Sequence, residues 1–200
     1  GRDLRFAEGH GPMMTPMVAA DVPRLDGSRF HERLEPVYET VRRLRAGEVV
    51  LISDGNGTAV RGPVLSVGKS GLSMTVQEVL RDPERPVRYV AVQALPKGDR
   101  AEQAVEMLTE LGIDEIVPWQ AERSVVKWAP DRVERGLTRW RATAREAAKQ
   151  CRRFRVPAVT MPMTTSELAL RIAQTDLTVV LHETADTRLG TFALPPIGEV

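Results

Sequence analysis

Basic residues are concentrated in one part of this 200-residue sequence, between positions 132 and 155. The nine cations there are Arg132, Arg135, Arg139, Arg141, Arg145, Lys149, Arg152, Arg153 and Arg155. Only Glu134 and Glu146 oppose them, so the segment carries a net charge of +7, whereas the whole chain carries +1. Charge segregated in this way favours a nucleic-acid partner, although a solvated helix face has the same composition.

The spacing of these cations predicts a helix over residues 130–153. Arg141, Arg145 and Lys149 recur every four residues, and Arg152 or Arg153 continues the series, so a helix would gather them into one stripe. An apolar stripe lies beside them, formed by Leu137, Trp140, Ala144, Ala147 or Ala148, and Cys151. We therefore predict that one face of this helix packs on a core and the other contacts RNA or DNA phosphates.

Other candidates for chemistry are weaker. Lys97-Gly98-Asp99 lacks the glycine pattern of a nucleotide phosphate loop, so we interpret it as a turn between a strand and a helix. His182, Glu183 and Asp186 have no second histidine near them, so we predict no metal site. Cys151 is the single cysteine, which excludes an intrachain disulfide and favours a reducing compartment. Its place on the apolar stripe predicts a core position.

The elements that must position these residues form two groups, and the first, residues 23–84, has the pattern of a small β domain. The apolar run 48–53 ends in the turn Asp54-Gly55-Asn56-Gly57, and residues 58–65 form the returning strand. Residues 72–79 alternate apolar and polar side chains, as a strand with one buried face does. Several short strands in so few residues predict a small barrel.

The flanks of this region differ in composition from it. Residues 81–86 are charged, contain two prolines and lack large apolar side chains, which is typical of a domain boundary. We interpret residues 1–22 as a leader or tail outside the fold. Their apolar part is short and broken by Pro16, which argues against a signal peptide. No apolar run approaches the roughly 20 residues of a membrane span, so we expect no membrane partner.

Residues 87–200 alternate between strand and helix patterns. The predicted strands are 87–95, 113–119, 157–163 and 177–181, and the predicted helices are 101–111, 130–153 and 166–173, the last with Ser166 as its N-cap. This order predicts a parallel sheet with helices on both faces. The fold class is therefore α/β, a small β domain followed by a parallel-sheet domain.

Several motifs in one order resemble a known family. They are 94–100 (ALPKGDR), 106–113 (EMLTELGI), 122–127 (ERSVVK), Arg139-Trp140, 145–150 (REAAKQ), Arg153 and Val156-Pro157. Together they closely resemble the ribosomal RNA small-subunit methyltransferase E family of the SPOUT superfamily. Residues 41–48 and Asp54-Gly55 resemble that family's N-terminal PUA-like RNA-binding barrel.

The resemblance implies a function and a set of partners. The family uses S-adenosylmethionine to methylate N3 of a uridine in 16S ribosomal RNA. The resemblance therefore implies a cytoplasmic enzyme of ribosome biogenesis. This enzyme would bind 16S rRNA or the 30S subunit and would be a homodimer when full length. The chain ends before the expected cofactor-binding knot, so we expect the 200-residue form to be inactive. A non-catalytic RNA-binding protein on the same fold is the alternative, and a small-molecule α/β enzyme would need a polar pocket that the sequence does not identify.

The resemblance and the charge pattern together nominate site residues. Lys97, Arg123 and Arg153 lie in the family-like motifs and are candidates to stabilise negative charge on the uracil oxygens. Leu181, His182 and Glu183 would end the strand that forms one wall of the cofactor site. The candidate RNA-binding residues are Arg42, Arg43, Arg45, Arg139, Arg141, Arg145, Lys149 and Arg152.

Overall fold

The computed structural model describes residues 17–19, 30–32, 44–68 and 71–200. The strands are β1 Met17–Ala19, β2 Phe30–Glu32, β3 Val49–Ser53, β4 Thr58–Gly68, β5 Gly71–Met74, β6 Glu78–Arg81, β7 Val87–Arg88, β8 Val90–Ala94, β9 Glu115–Gln120, β10 Ala158–Val159, β11 Met163–Thr164 and β12 Gly198–Glu199. The helices are α1 Arg100–Glu110, α2 Pro130–Gln150 and α3 Thr165–Ile172, and a single 3-10 turn covers Leu189–Thr191. None of these described helices is long and apolar enough to span a membrane.

The first sheet has six strands in the order β1-β3-β4-β5-β2, with β6 also paired to β4. Strand β1 pairs with β3, so the expectation that residues 1–22 lie outside the fold is wrong for Met17–Ala19. The predicted turn joins β3 to β4, because Asp54 Oδ1 accepts the N–H groups of Asn56 and Thr58 at 2.7 and 3.0 Å. The predicted strand 72–79 is instead split between β5 and β6, which pair with opposite ends of the eleven-residue β4. The hydrophobic core beside this first sheet contains Leu44, Val50, Ile52, Val60, Val64, Leu72 and Met74. Closure into a PUA-like barrel stays a prediction.

The second sheet is parallel, as predicted. Strand β9 is central, with β8 on one side and β10 and β11 on the other. Ile116 packs with residues of α1 and α2, whereas the preceding Glu115 contacts Arg171 of α3. Because successive strand residues face opposite sides, α3 covers one face of the sheet and the other two helices cover the opposite face. This is the α/β architecture expected from the order of elements.

Helix α2 buries more side chains than either of the other two helices. Leu137, Trp140 and Ala144 are buried as the spacing predicts, together with Ala147 and Ala148. Cys151 is exposed, so the prediction of a core position is wrong. The helix ends at Gln150, and the chain turns at Cys151 because Arg152 adopts the left-handed φ of 57°.

Two expectations near the C-terminal end of the chain are also wrong. Residues 177–181 do not form a strand, and Val180 and Leu181 are 75% and 76% exposed. An apolar run becomes a strand only where a neighbouring backbone offers a hydrogen-bond ladder. None of the described strands pairs with residues 177–181. Helix α3 is capped by Thr164 instead of Ser166, because Thr164 and Glu167 form a reciprocal capping box. The hydrogen bonds from Thr164 lower the pKa of Glu167.

The two sheets meet where the turn after β3 contacts the chain after α2. Val156 N–H donates to Gly55 O at 2.9 Å, and Gly57 N–H donates to Phe154 O at 3.0 Å. Gly57 has a φ of +102°, and a Cβ there would lie 2.6 Å from Cζ of Arg155. Glycine is therefore required for both the turn and the close approach of this arginine.

Candidate nucleic-acid interface

Lys97 and Arg123 lie at the same edge of the parallel sheet. Lys97 follows the carboxyl end of β8 and Arg123 follows the carboxyl end of β9, and both side chains are exposed. Ser124 Oγ donates to Leu95 O at 3.2 Å, which holds the loop after β9 against the end of β8. Ligands of open parallel sheets bind outside the carboxyl ends of the strands, so this edge is a candidate binding site.

Two tryptophans and a glycine anchor the loop that carries Arg123. Trp128 N–H donates to Gln120 Oε1 at 2.9 Å, and the Trp128 ring packs edge-on against Trp140 with 5.4 Å between centroids. A Cβ on Gly136 of α2 would lie 2.6 Å from the Trp128 ring. The helix therefore tolerates a mid-helix glycine because the indole occupies the space beside it.

Arg153 lies at the opposite, amino edge of the sheet. Its Nη1 donates to Thr109 O at 2.6 Å and to Ile113 O at 3.1 Å, just before β9 begins. The six residues of β9 rise by about 20 Å in total. One uracil cannot contact groups of one chain at both ends of such a strand, so the structure does not bring Arg153 together with Lys97 and Arg123, and its catalytic role stays a prediction. The motifs are adjacent in sequence order, but β9 separates them in space.

The charge of Arg153 is only partly balanced by its surroundings. Its side chain is 14% exposed, and Asp114 Oδ1 lies 3.9 Å from Nη2. Burial lowers the pKa of the guanidinium, the charge of Arg85 lowers it further, and Asp114 opposes both. Nη2 is buried and has no hydrogen-bond partner in the part of the chain that the structure describes.

The predicted cationic stripe of α2 is largely engaged with the protein itself. Arg141 donates from Nε and Nη2 to Val159 O at 3.4 and 3.3 Å. The Lys149 side chain is 13% exposed and its Nζ lies 2.8 Å from Glu146 Oε2. Arg139 pairs with Glu102 of α1, and Arg145 is half-buried and also has a partner. These contacts occupy some donors of the stripe, but the Arg139 and Arg141 side chains are 63% and 43% exposed. Phosphate binding by the stripe stays a prediction.

The remaining predicted RNA-binding residues have different environments. Arg152 is exposed at the end of α2, and Arg45 is exposed in the turn before β3, where its N–H donates to Glu48 Oε2 at 3.0 Å. Arg42 and Arg43 lie outside the described residues. Both described side chains are accessible to a large partner.

The place of Leu181, His182 and Glu183 in one wall of the cofactor site stays a prediction. All three are exposed, and the segment lacks the strand that would have made it a wall. His182 Nδ1 lies 2.8 Å from Thr184 Oγ1 within the same turn. A nucleoside cofactor needs a concave, mostly apolar site with a few convergent polar groups, and these residues provide no such enclosure. No group of metal-ligating side chains occurs within the described ranges.

A buried charge network at the amino edge was not predicted. Glu115 is 4% exposed and contacts both Arg88 and Arg171. The same two arginines reach Glu199 of β12 at 3.1 and 3.0 Å. The hydrogen bond to Glu115 raises the pKa of Arg171. The signal in the sequence was a glutamate at the start of the apolar run 116–119, because a carboxylate at the edge of a covered strand requires a cationic partner.

Comparison with known proteins identifies the class and then the family. The model of the RNA methyltransferase domain matches residues 83–198. Over 167 residues the chain is 41% identical to the ribosomal RNA small subunit methyltransferase E of Mycobacterium bovis, covering 80% of this chain and 63% of that protein. The chain belongs to the ribosomal RNA small subunit methyltransferase E family of RNA methyltransferases. It spans less than two thirds of the length of this relative.

A solved structure supports the fold over most of the chain. It is the ribosomal RNA small subunit methyltransferase E of Neisseria gonorrhoeae bound to S-adenosyl methionine. The TM-score is 0.70 at 22% identity, with 93% of this chain and 77% of that chain covered. The similarity confirms the α/β fold and leaves substrate and cofactor to separate argument.

A second similarity concerns a different enzyme. Over 46 residues, 23% of its length, the chain is 63% identical to the uroporphyrinogen decarboxylase of Chelativorans sp.. These residues make up 14% of that enzyme. Such a short stretch omits most of the decarboxylase, so it carries no argument for that activity in this chain.

Proposed function

We propose that the protein containing this chain transfers a methyl group from S-adenosylmethionine to N3 of a uridine in 16S ribosomal RNA. The observation that carries the proposal is the family membership, with the RNA methyltransferase match over residues 83–198. The methyl donor is proposed from the family and from the donor-bound Neisseria relative, and not from residues 181–183. A ribosomal substrate implies work in the cytoplasm, and the homodimer stays a prediction.

Lys97 and Arg123 are the proposed catalytic cations. Methyl transfer breaks the S–CH3 bond of the donor sulfonium, forms the bond to N3 and releases a neutral thioether. The N3 proton passes to solvent, and negative charge develops on O2 and O4 as it leaves. Cations placed beside these oxygens stabilise that charge as it forms. Support comes from their exposure at one carboxyl edge and from the Ser124 hydrogen bond that holds the two turns together.

The modified base itself provides the test of this function. A methyl group on N3 blocks Watson–Crick pairing, so it stops reverse transcriptase on 16S rRNA. We expect one strong stop in rRNA from the parent organism, its loss when the gene is deleted, and its return when the gene is restored. Restoration with Lys97→Gln or Arg123→Gln should give a weaker stop, whereas Arg135→Gln, on the exposed face of α2, should restore it fully.

The same experiment distinguishes the methyltransferase from the alternative, a non-catalytic RNA-binding protein. If the deletion leaves every stop in 16S rRNA unchanged while the protein still binds that RNA, the chain belongs to a non-catalytic RNA-binding protein. If the deletion changes no stop and the protein does not bind 16S rRNA, the proposed ribosomal substrate is wrong.

A further inference from the structure

A cleft of about 290 Å³ separates the two sheets at the amino edge. One wall is the turn after β3, with Gly55 and Asn56. The other wall carries four arginines, Arg85, Arg88, Arg153 and Arg155. Glu84 and Asp114 are the carboxylates among the lining residues. The cleft therefore has two more cations than anions along its walls.

Backbone carbonyls and carboxylates hold these arginines in place. Arg85 donates from Nη2 to Gly112 O and to Asp114 Oδ1, both at 2.9 Å. Arg155 donates from Nη2 to Asp82 O at 3.2 Å. A guanidinium has five N–H donors, so Arg85 and Arg155, which make these bonds from Nη2 alone, keep other donors for a ligand. Arg88 already uses both Nη1 and Nη2 on Glu199 and Glu115. A guanidinium fixed in this way loses little side-chain entropy when an anion binds.

Each arginine of the cleft faces a carboxylate, and Asp82 Oδ2 lies 3.8 Å from Arg155 Nε, but one buried donor has no hydrogen-bond partner in the described part of the chain. Arg153 Nη2 is buried with no hydrogen-bond partner among the described residues, and Arg85 lies close enough to disfavour its charge. Buried donors of this kind are rare in native proteins and indicate a missing partner. An anion in the cleft would supply the compensating charge for both arginines.

We propose that this cleft binds a phosphate group of the RNA backbone between the two sheets. The identity of the polymer rests on the proposed function, whereas the preference for phosphate rests on the four arginines. Planar guanidinium groups match the oxygens of phosphate with paired hydrogen bonds. Because the two walls come from different sheets, one bound strand would contact both parts of the molecule.

Glu84 offers a test that gains binding instead of losing it. Its side chain is exposed at the cleft, so Glu84→Gln removes a negative charge without removing any arginine. We expect this variant to bind a 16S rRNA fragment about threefold more tightly at low salt. Glu106→Gln makes the same charge change on the exposed side of α1, outside the cleft, and should bind like the parent protein.

Arg85→Gln provides the complementary loss. We expect RNA affinity to fall about tenfold and the slope of log K against log salt to decrease by about one, as for the loss of one phosphate contact. Thermal unfolding of each variant, read by circular dichroism, shows whether the fold is intact. If Glu84→Gln leaves affinity unchanged, the cleft does not bind RNA and the proposal is overturned.

Competition identifies the source of the anion. Inorganic phosphate and a uridine monophosphate should compete with RNA only at millimolar concentrations. If either binds the parent protein tightly and RNA binds no better, the cleft holds a small phosphate and the RNA assignment falls. These titrations contain no methyl donor, so their failure leaves the stop on 16S rRNA as an independent test of the proposed function. A parent protein that binds no RNA at all would contradict both the phosphate-binding cleft and the proposed function.

Discussion

Arginines at the amino edge of the parallel sheet differ from the solvent-facing arginines of α2 in how the protein holds them. At the amino edge, Arg85, Arg153 and Arg155 are fixed by carbonyls from distant parts of the chain and face a common cleft. Along α2, Arg132 and Arg135 project from the exposed face of one helix. Local charge density is highest on α2, but fixed geometry is found at the amino edge. We therefore infer that phosphate recognition depends on the fixed groups.

The largest expected effect comes from breaking the buried network of the amino edge. Glu115→Gln removes the carboxylate that neutralises Arg88 and Arg171 from a position with 4% exposure. We expect the free energy of unfolding to fall by about 3 kcal/mol, the lower end for a broken buried pair, because Arg88 is half-exposed. Equilibrium unfolding in urea measures this change in free energy. Glu199→Gln, which touches the same arginines from a more exposed position, should cost less. Equal costs for the two variants would contradict the central place of Glu115.

The second effect compares the two edges of the sheet directly. Arg153→Gln removes charged hydrogen bonds to Thr109 O and Ile113 O, so we expect a loss of about 2 kcal/mol in unfolding free energy. Arg123→Gln changes an exposed loop residue and should alter stability by less than about 0.5 kcal/mol. The unfolding free energies of the two variants are measured in the same urea series. Similar losses would show that Arg123 also has a structural role.

The third effect concerns the carboxyl edge alone. Gly136→Ala places a Cβ where the Trp128 ring lies, and overpacking of this kind outweighs the helix propensity gained, for a net cost of about 1 kcal/mol. Tryptophan fluorescence should shift to the red as Trp128 moves. Ala142→Gly, at an exposed position of the same helix, should cost a similar free energy without a fluorescence change. A red shift in both variants would refute the contact as its cause.

The smallest effect is a gain in stability. Arg152 adopts a left-handed φ of 57°, a conformation that glycine accepts without steric cost. We expect Arg152→Gly to raise the free energy of unfolding by about 0.5 kcal/mol. RNA affinity should fall less than in Arg85→Gln, because Arg152 lies outside the cleft lining. A destabilised Arg152→Gly protein would mean that the arginine side chain contributes packing.

Local patterns in the sequence predicted the elements whose causes are local. The α2 core residues Leu137, Trp140 and Ala144 follow from helical spacing, and the turn after β3 follows from Asp54-Gly55 and its neighbours. The strand expected at 177–181 failed because a strand also needs a partner, which local composition does not specify.

The site depended on contacts between residues far apart in the sequence. Glu115 meets Arg88 from 27 residues away and Arg171 from 56 residues away. Arg85 belonged to the segment interpreted as a domain boundary, and its hydrogen bonds go to Gly112 and Asp114. Counting charges along the chain selected residues 132–155, which include Arg153 and Arg155, but it could not bring Arg85 and Arg88 to them, because the arginines of the cleft come from two separate segments.

Arginine-specific modification with phenylglyoxal, read by mass spectrometry with and without a 16S rRNA fragment, tests this distinction residue by residue. If fixed arginines recognise phosphate, RNA should slow modification of Arg85 and Arg155 several-fold and leave Arg132 and Arg135 of α2 unchanged. Protection of Arg132 and Arg135 with full reactivity at Arg85 and Arg155 would contradict the account, because it would place the RNA on the solvent-facing helix.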